Sequence, residues 1–244
     1  MIAVSDVHKS FGSIQALRGV SFNAPDGHIT GLLGPNGAGK TTTLRILYTV
    51  LKPDRGSASV DGYSTLTEAA EVQRRIGALP DSKGLYPRLT ARENIRYYGR
   101  LQGLKEPRLE QAIGRIIAVL DMQEIADRRT AGFSHGERLK VAIARALVHE
   151  PQNILLDEPT NGLDVMSTRN IRGLIRRLRD EGKTVLFSSH VMQEVTALCD
   201  QIVVIHHGLV AACGTSEELR RQTGQSNLED AFVSIIGSED GLER

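Results

Sequence analysis

Cysteine is scarce in this 244-residue chain: Cys199 and Cys213 are its only two, and they lack metal-ligand spacing. A disulfide framework and a zinc site are therefore excluded, and two reduced thiols, placed as small core or surface residues, fit a cytosolic protein. No excess of one charge exists either. Thirty Lys and Arg face 29 Asp and Glu, a formal net charge of +1, so no global basic field draws the chain to DNA, RNA or an acidic membrane surface. No run of mainly apolar residues is long enough to cross a bilayer, and the uncharged stretch from Gln201 to Ser216 is broken by His206, His207 and Gly208. The start, Met1-Ile2-Ala3-Val4-Ser5-Asp6, shows no basic segment followed by an apolar one, and the expectation is a protein that stays in the cytosol. Internal repeats, low-complexity tracts and coiled-coil heptads are missing as well. What is present is a 40% hydrophobic composition, enough for a sizeable core and against disorder.

Three strands are expected first, over Ile2 to Val7, Leu17 to Phe22 and His28 to Leu33, separated by Gly12 and Pro25-Asp26-Gly27. The spacing of Leu44, Leu47, Tyr48 and Leu51 predicts a helix over Thr41 to Leu51, ended by Pro53. From about Leu66 to Asp127 helical periodicity dominates, clearest in Leu109 to Leu120, where Ile113, Ile116, Ile117 and Leu120 share one face. Helix to about His149, strand Asn153 to Asp157, helix Val165 to Asp180 and strand Thr184 to Ser188 then alternate as in a parallel sheet. Ile202 to Ile205 and Leu209 to Ala212 predict a hairpin, followed from Thr215 by a short helical tail with a polar end. The order describes an α/β chain whose core is split in sequence around a helical insert.

Gly34-Pro35-Asn36-Gly37-Ala38-Gly39-Lys40-Thr41 fits the pattern G-x4-G-K-[ST] and lies between a predicted strand and helix. In that setting glycines let backbone amides curl round phosphate oxygens and the helix start adds positive potential. Lys40 reaches the β- and γ-phosphates, the Thr41 hydroxyl suits Mg2+, and Thr42 is a further phosphate donor. Ile154-Leu155-Leu156-Asp157-Glu158-Pro159 is a buried strand ending in two carboxylates. Burying such charge calls for a cation, so Asp157 takes the metal position, directly or through water, while Glu158 orients or deprotonates the attacking water.

Those motifs define nucleotide use; further residues define the kind. Phe133-Ser134-His135-Gly136-Glu137, 23 residues before Asp157, resembles the signature of ABC ATPases. Asn161-Gly162-Leu163-Asp164 resembles their D-loop, His190 their switch histidine, and Phe11 stands where the family stacks a ring on adenine. Nearly the whole chain is covered, and the likeness is to the NatA-like, drug-exporter type of ATP-binding subunit. It implies a P-loop NTPase of the ABC ATPase class with an N-terminal antiparallel β subdomain and an inserted helical subdomain. The core would span about 1–80 and 151–214, the insert about 81–150 and the tail 215–244. The implied site comprises Glu158, His190 and Lys40 for catalysis and Phe11, Gly34, Asn36, Gly37, Gly39, Lys40, Thr41, Thr42, Ser134, Gly136 and Asp164 for ATP. Thr41, Asp157 and, through a water, Asp81 are implied for Mg2+.

The resemblance further implies ATP hydrolysis driving a transporter, most simply an exporter. Two cassettes would close head to tail over ATP, bridged from Lys40 of one to Ser134 and Gly136 of the other, as a homodimer or with another ABC ATPase chain. Transmembrane permease subunits would dock around Asp81 to Tyr98, putting the chain on the cytoplasmic face of the cell membrane, with no nucleic acid partner. An alternative is a soluble ABC-type ATPase acting on nucleic acid or ribosomes, and a second is an idle nucleotide-binding module. Three residues depart from the family pattern. His135 and Glu137 replace the usual Gly and Gln of the signature, and Asp81 replaces a Gln, leaving it either a water-mediated metal contact or a hinge and N-cap residue beside Ser82 and Gly84.

Overall fold

Alternate residues of the central strands belong to two different cores, because side chains on a strand point to opposite faces. In the computed structural model, which describes residues 1–81 and 84–240, six strands form one sheet in the order β10-β9-β3-β8-β7-β6. These are β3 (Ile29–Leu33), β6 (Ile76–Leu79), β7 (Asn153–Asp157), β8 (Thr184–Ser189), β9 (Gln201–His206) and β10 (Leu209–Gly214). All neighbours run parallel except β10, which turns back on β9 through His207 and Gly208. Leu32, Leu155, Leu186, Val203 and Ile205 face one core, while Leu33, Ile154, Leu156, Val185, Phe187 and Val204 face the other. Both faces are covered, which is why these strands read as continuous apolar runs.

The first core lies between this sheet and a four-stranded antiparallel sheet, order β2-β1-β4-β5. That second sheet holds β1 (Ile2–Phe11), β2 (Ile14–Ala24), β4 (Arg55–Val60) and β5 (Tyr63–Ser64). Helix α1 (Lys40–Leu47) fills the gap between the sheets with Leu44, Ile46 and Leu47. The second core packs α3 (Ala91–Leu101), α4 (Arg108–Val119), α5 (His135–Leu147) and α6 (Val165–Asp180) against the opposite face. Helices α2 (Ala69–Arg75), α7 (Met192–Leu198), α8 (Ser216–Thr223) and α9 (Leu228–Asp240) complete the described elements.

Several sequence expectations are corrected. The first three strands divide between the two sheets, and β4 and β5 were not anticipated. Helix α1 stops at Leu47, short of Leu51, because Thr49 adopts a left-handed backbone at φ 64; Pro53 does not terminate it. Strand β6 interrupts the stretch read as helical from Leu66 to Asp127. The tail is two helices, with Leu219, Leu228, Ala231 and Ile235 buried; the expected polar end runs into residues 241–244, outside the described residues. No helix among the described residues is long and apolar enough to cross a membrane.

Candidate functional site

Four segments that carry chemistry leave the same edge of the six-stranded sheet. The 34–39 loop follows β3, Asp81 follows β6, Glu158 follows β7 and His190 follows β8, all beyond the carboxyl ends of parallel strands, where open α/β sheets bind ligands. Between them lies a cleft of about 460 Å³ lined by the 36–39 backbone, Lys40, Thr41, Thr42, Asp81, Glu158, Asn161 and His190.

The loop's course is set by two glycines. Gly39 caps α1 at φ 112, and a Cβ there would lie 2.7 Å from Leu17 Cδ2 and 2.8 Å from the Ala16 carbonyl oxygen. No side chain caps α1, so its first amides are left to an anion. Gly34, expected at the nucleotide, opens the loop. It does not line the cleft; a Cβ on it would overlap the Ile205 carbonyl oxygen, so its smallness lets the loop start pass over β9.

Lys40 is buried, with Nζ donating to the carbonyls of Gly34 at 2.7 Å and Pro35 at 3.1 Å. Burial lowers its pKa, opposed by the Glu158 carboxylate 3.6 Å from Nζ. Asp157, 3% exposed, accepts at Oδ1 from Thr41 Oγ1 at 3.1 Å and Ser188 Oγ at 2.7 Å. Its carboxyl is pushed above the usual range chiefly by burial, with the negative charges of Asp81 and Glu158 adding to the shift against those two hydrogen bonds. Glu158 sits just past the strand at φ 48, a conformation that costs a non-glycine residue roughly 1–3 kcal/mol and clusters at functional sites. Its amide donates to Ser188 Oγ at 2.9 Å, and its Oε2 lies 2.9 Å from His190 Nδ1.

Other expected site residues stand apart from this cleft. Ser134 is exposed at the start of α5, where its Oγ accepts from Glu137 N at 3.2 Å and its own N donates to Glu137 Oε2 at 2.7 Å; Gly136, two residues on, is half-buried. Neither lines the cleft of its own chain. Asp164 does not line it either: the carboxylate caps α6, accepting from Ser167 N at 2.9 Å and Ser167 Oγ at 2.7 Å. Asn161 lines the cleft in its stead. Its nearness was encoded in the Asn161 to Asp164 motif, but which member faces the cleft depends on the turn at Gly162. His135 Nε2 lies 3.0 Å from the Asn161 carbonyl oxygen, so the larger residue at that position links two functional loops of one chain. The Phe11 ring is 48% exposed, with Lys9 Nζ 5.8 Å from its centroid. It lies beyond the cleft lining, although a second cavity, entered past Ser13 to Ala16 and the His207–Gly208 turn, shares Gly37 with the cleft. Asp81 is exposed on the rim. It caps no helix, α3 being capped by Thr90, which removes the N-cap half of the hinge expectation; Ser82 lies outside the described residues.

A glycine-shaped phosphate loop opening a helix, a strand-end carboxylate pair and a histidine on the second carboxylate define a P-loop nucleotide hydrolase. Comparison with known proteins gives the family. The ABC transporter family model matches residues 17–161. The chain is 44% identical over 241 residues to the ABC transporter ATP-binding protein NatA of Bacillus subtilis, covering 97% of this chain and 98% of that protein. It is 34% identical to the linearmycin resistance ATP-binding protein LnrL of the same organism, covering 97% of this chain and 76% of that protein. A solved ATP-binding cassette, dimeric and in a post-hydrolysis state with ADP and Pi, superposes with a TM-score of 0.81 at 28% identity, over 88% of this chain and 98% of that one. The chain belongs to the ABC transporter family, as an ATP-binding and ATP-hydrolysing subunit. Of the activities left open by its sequence, transport is the one this membership supports.

Proposed function

We propose that the chain powers an exporter, binding ATP with Mg2+ in the cleft and working with transmembrane permease subunits and a second cassette. The observation that carries the chemistry is Glu158, held between Lys40 Nζ at 3.6 Å and His190 Nδ1 at 2.9 Å at the mouth of the phosphate loop. Glu158 takes a proton from the attacking water, His190 orients that carboxylate, and Lys40 turns from the loop carbonyls to the β- and γ-phosphates. Gly37, Gly39 and Asn36 supply the backbone cradle, with Thr42 a further donor.

The residues fit Mg2+. Asp157 is a buried carboxylate faced by hydroxyls, while the Lys40 ammonium lies toward Glu158. Among the described residues no three His, Cys, Asp or Glu side chains gather as a metal cage, and Mg2+ characteristically uses one or two protein oxygens together with waters and phosphate. Thr41 and Asp157 would hold it, with Asp81 reaching it through a water. When bound it neutralises phosphate charge. The single unit 1–244 divides into a core, about 1–80 and 151–214, that holds ATP and an insert, about 81–150, that presents Ser134 and Gly136 to the opposite chain; 215–244 form the tail. Phe11, with its ring half exposed, stacks on adenine.

The likeness to NatA, to a resistance protein and to a dimeric cassette supports export, a membrane partner and pairing, and with them a place on the cytoplasmic face of the membrane. Glu158→Gln should bind ATP normally while phosphate release falls about 10²–10⁴-fold, the range a positioned general base contributes. Release at the wild-type rate would remove the carboxylate from that role.

A further inference from the structure

The two serines that end β8 serve different halves of the site. Ser188 and Ser189 are completely buried and, as strand neighbours, point to opposite faces. Ser188 Oγ donates to Asp157 and accepts from the Glu158 amide. Ser189 Oγ, on the other face, accepts from Val191 N at 3.0 Å and donates to Glu194 Oε2 at 3.1 Å. These two bonds close a turn around the intervening His190. Helix α7, which follows, has no side-chain N-cap of its own, so the Ser189 turn is what fixes its start.

Glu194 lies in the first turn of α7 and is only 4% exposed. A carboxylate so far from water requires partners. Besides Ser189 it has Arg172 of α6, whose Nη2 is 3.8 Å from Oε1. Arg172 Nε is itself buried without a hydrogen-bond acceptor, leaving the Glu194 carboxylate as the group that answers this guanidinium. Helix α6 begins at Val165, four residues beyond the cleft-lining Asn161, so the pair ties the histidine turn to that helix. The hydrolysis described above uses none of Ser189, Glu194 and Arg172.

We infer that Glu194, anchored by Arg172, is a positioning residue that sets the His190 ring against Glu158 by way of Ser189. It touches neither nucleotide nor water; it acts by holding the turn from which His190 projects. This rests on the role given to His190.

The test is steady-state ATP hydrolysis by the full chain, with thermal melting in parallel. Ser189→Ala, which removes one oxygen, and Glu194→Ala should each lower kcat by roughly 10-fold, the size an orienting partner of a functional histidine contributes, with the KM for ATP within about twofold of wild type. Glu194→Gln keeps an acceptor for Ser189 and should restore kcat to within about threefold of wild type. In a His190→Ala background neither Ser189→Ala nor Glu194→Ala should lower kcat further, because the group they orient is gone. Wild-type kcat in Ser189→Ala, or an undiminished loss in the His190→Ala background, would overturn the inference and leave the cluster a stabilising one. If His190→Ala alone hydrolyses ATP at the wild-type rate, the role of His190 fails and the inference with it; a slow His190→Ala with a wild-type Ser189→Ala sinks only the latter.

Discussion

Asp157 is kept in surroundings that oppose its own charge. Burial and the neighbouring carboxylates raise its pKa above 3.8, so across the window opening near that value the folded chain binds more protons at this group than the unfolded one. Stability then falls as pH rises through the window, and the penalty is fully present above the folded-state pKa. Asp157→Asn keeps an oxygen for the Thr41 and Ser188 hydroxyls and removes the charge. Nucleotide-free, it should melt above wild type at pH 7.5 by about 2–4 °C, the shift of ~1 kcal/mol in a chain of this size, and the difference should shrink as pH falls through the window and vanish only well below 3.8, where both states are protonated. Hydrolysis should be lost at every pH. Residues of this kind were legible in the sequence, since Lys40, Thr41, Asp157 and Glu158 are fixed by fixed-spacing motifs next to strand ends. The packing of Gly34 against the Ile205 carbonyl and the place of Asn161 in the cleft were not, because one depends on the approach of β9 and the other on a turn at φ 73, and neither contact is local in the chain.

Among the elements, α5 joins a stability role to a functional one at a single residue. Ser134 caps the helix in a reciprocal pair with Glu137, so Ser134→Ala should cost about 1 kcal/mol, read as a melting shift of about 2–4 °C. Ser134→Arg places bulk where the opposite phosphate loop would arrive. In a Glu158→Gln background, sedimentation with ATP and Mg2+ should show dimers for the parent and monomers for Ser134→Arg; dimers in both would remove Ser134 from the interface. The elements that follow α5 were readable because β7 and β8 are continuous runs of buried residues and α6, between them, is 16 residues long and periodic. Strand β6 was hidden: its four residues Ile-Gly-Ala-Leu follow directly on helix α2 with no turn residue between, too few to show a period, and only pairing with β7 makes them a strand. Helix α7, seven residues long, is too short for its periodicity to declare itself, and β4 begins with exposed Arg55, Gly56 and Ser57, which break the alternation that marks a half-buried strand.

At the scale of the whole molecule, the helical insert carries an exposed aromatic pair that the core does not use. The Tyr86 amide donates to Asn94 Oδ1, and its carbonyl accepts from Thr130 Oγ1 at 2.9 Å. The backbone is thus pinned to the helical insert while the ring stays 44% exposed, meeting the 41% exposed Tyr97 edge-on at 5.2 Å between centroids. An aromatic pair held outward by a fixed backbone suits an apolar partner, and under the proposed function that partner is a segment of the permease. Because the rings add little to the chain's own core, Tyr86→Glu and Tyr97→Glu should melt within about 1–2 °C of wild type, as surface substitutions do. Co-purification with membranes carrying the permease should nonetheless fall at least about tenfold, a loss of ~1.4 kcal/mol in binding. A drop of many degrees in melting temperature would show that the rings serve internal packing, and undiminished membrane recovery would move the docking surface elsewhere.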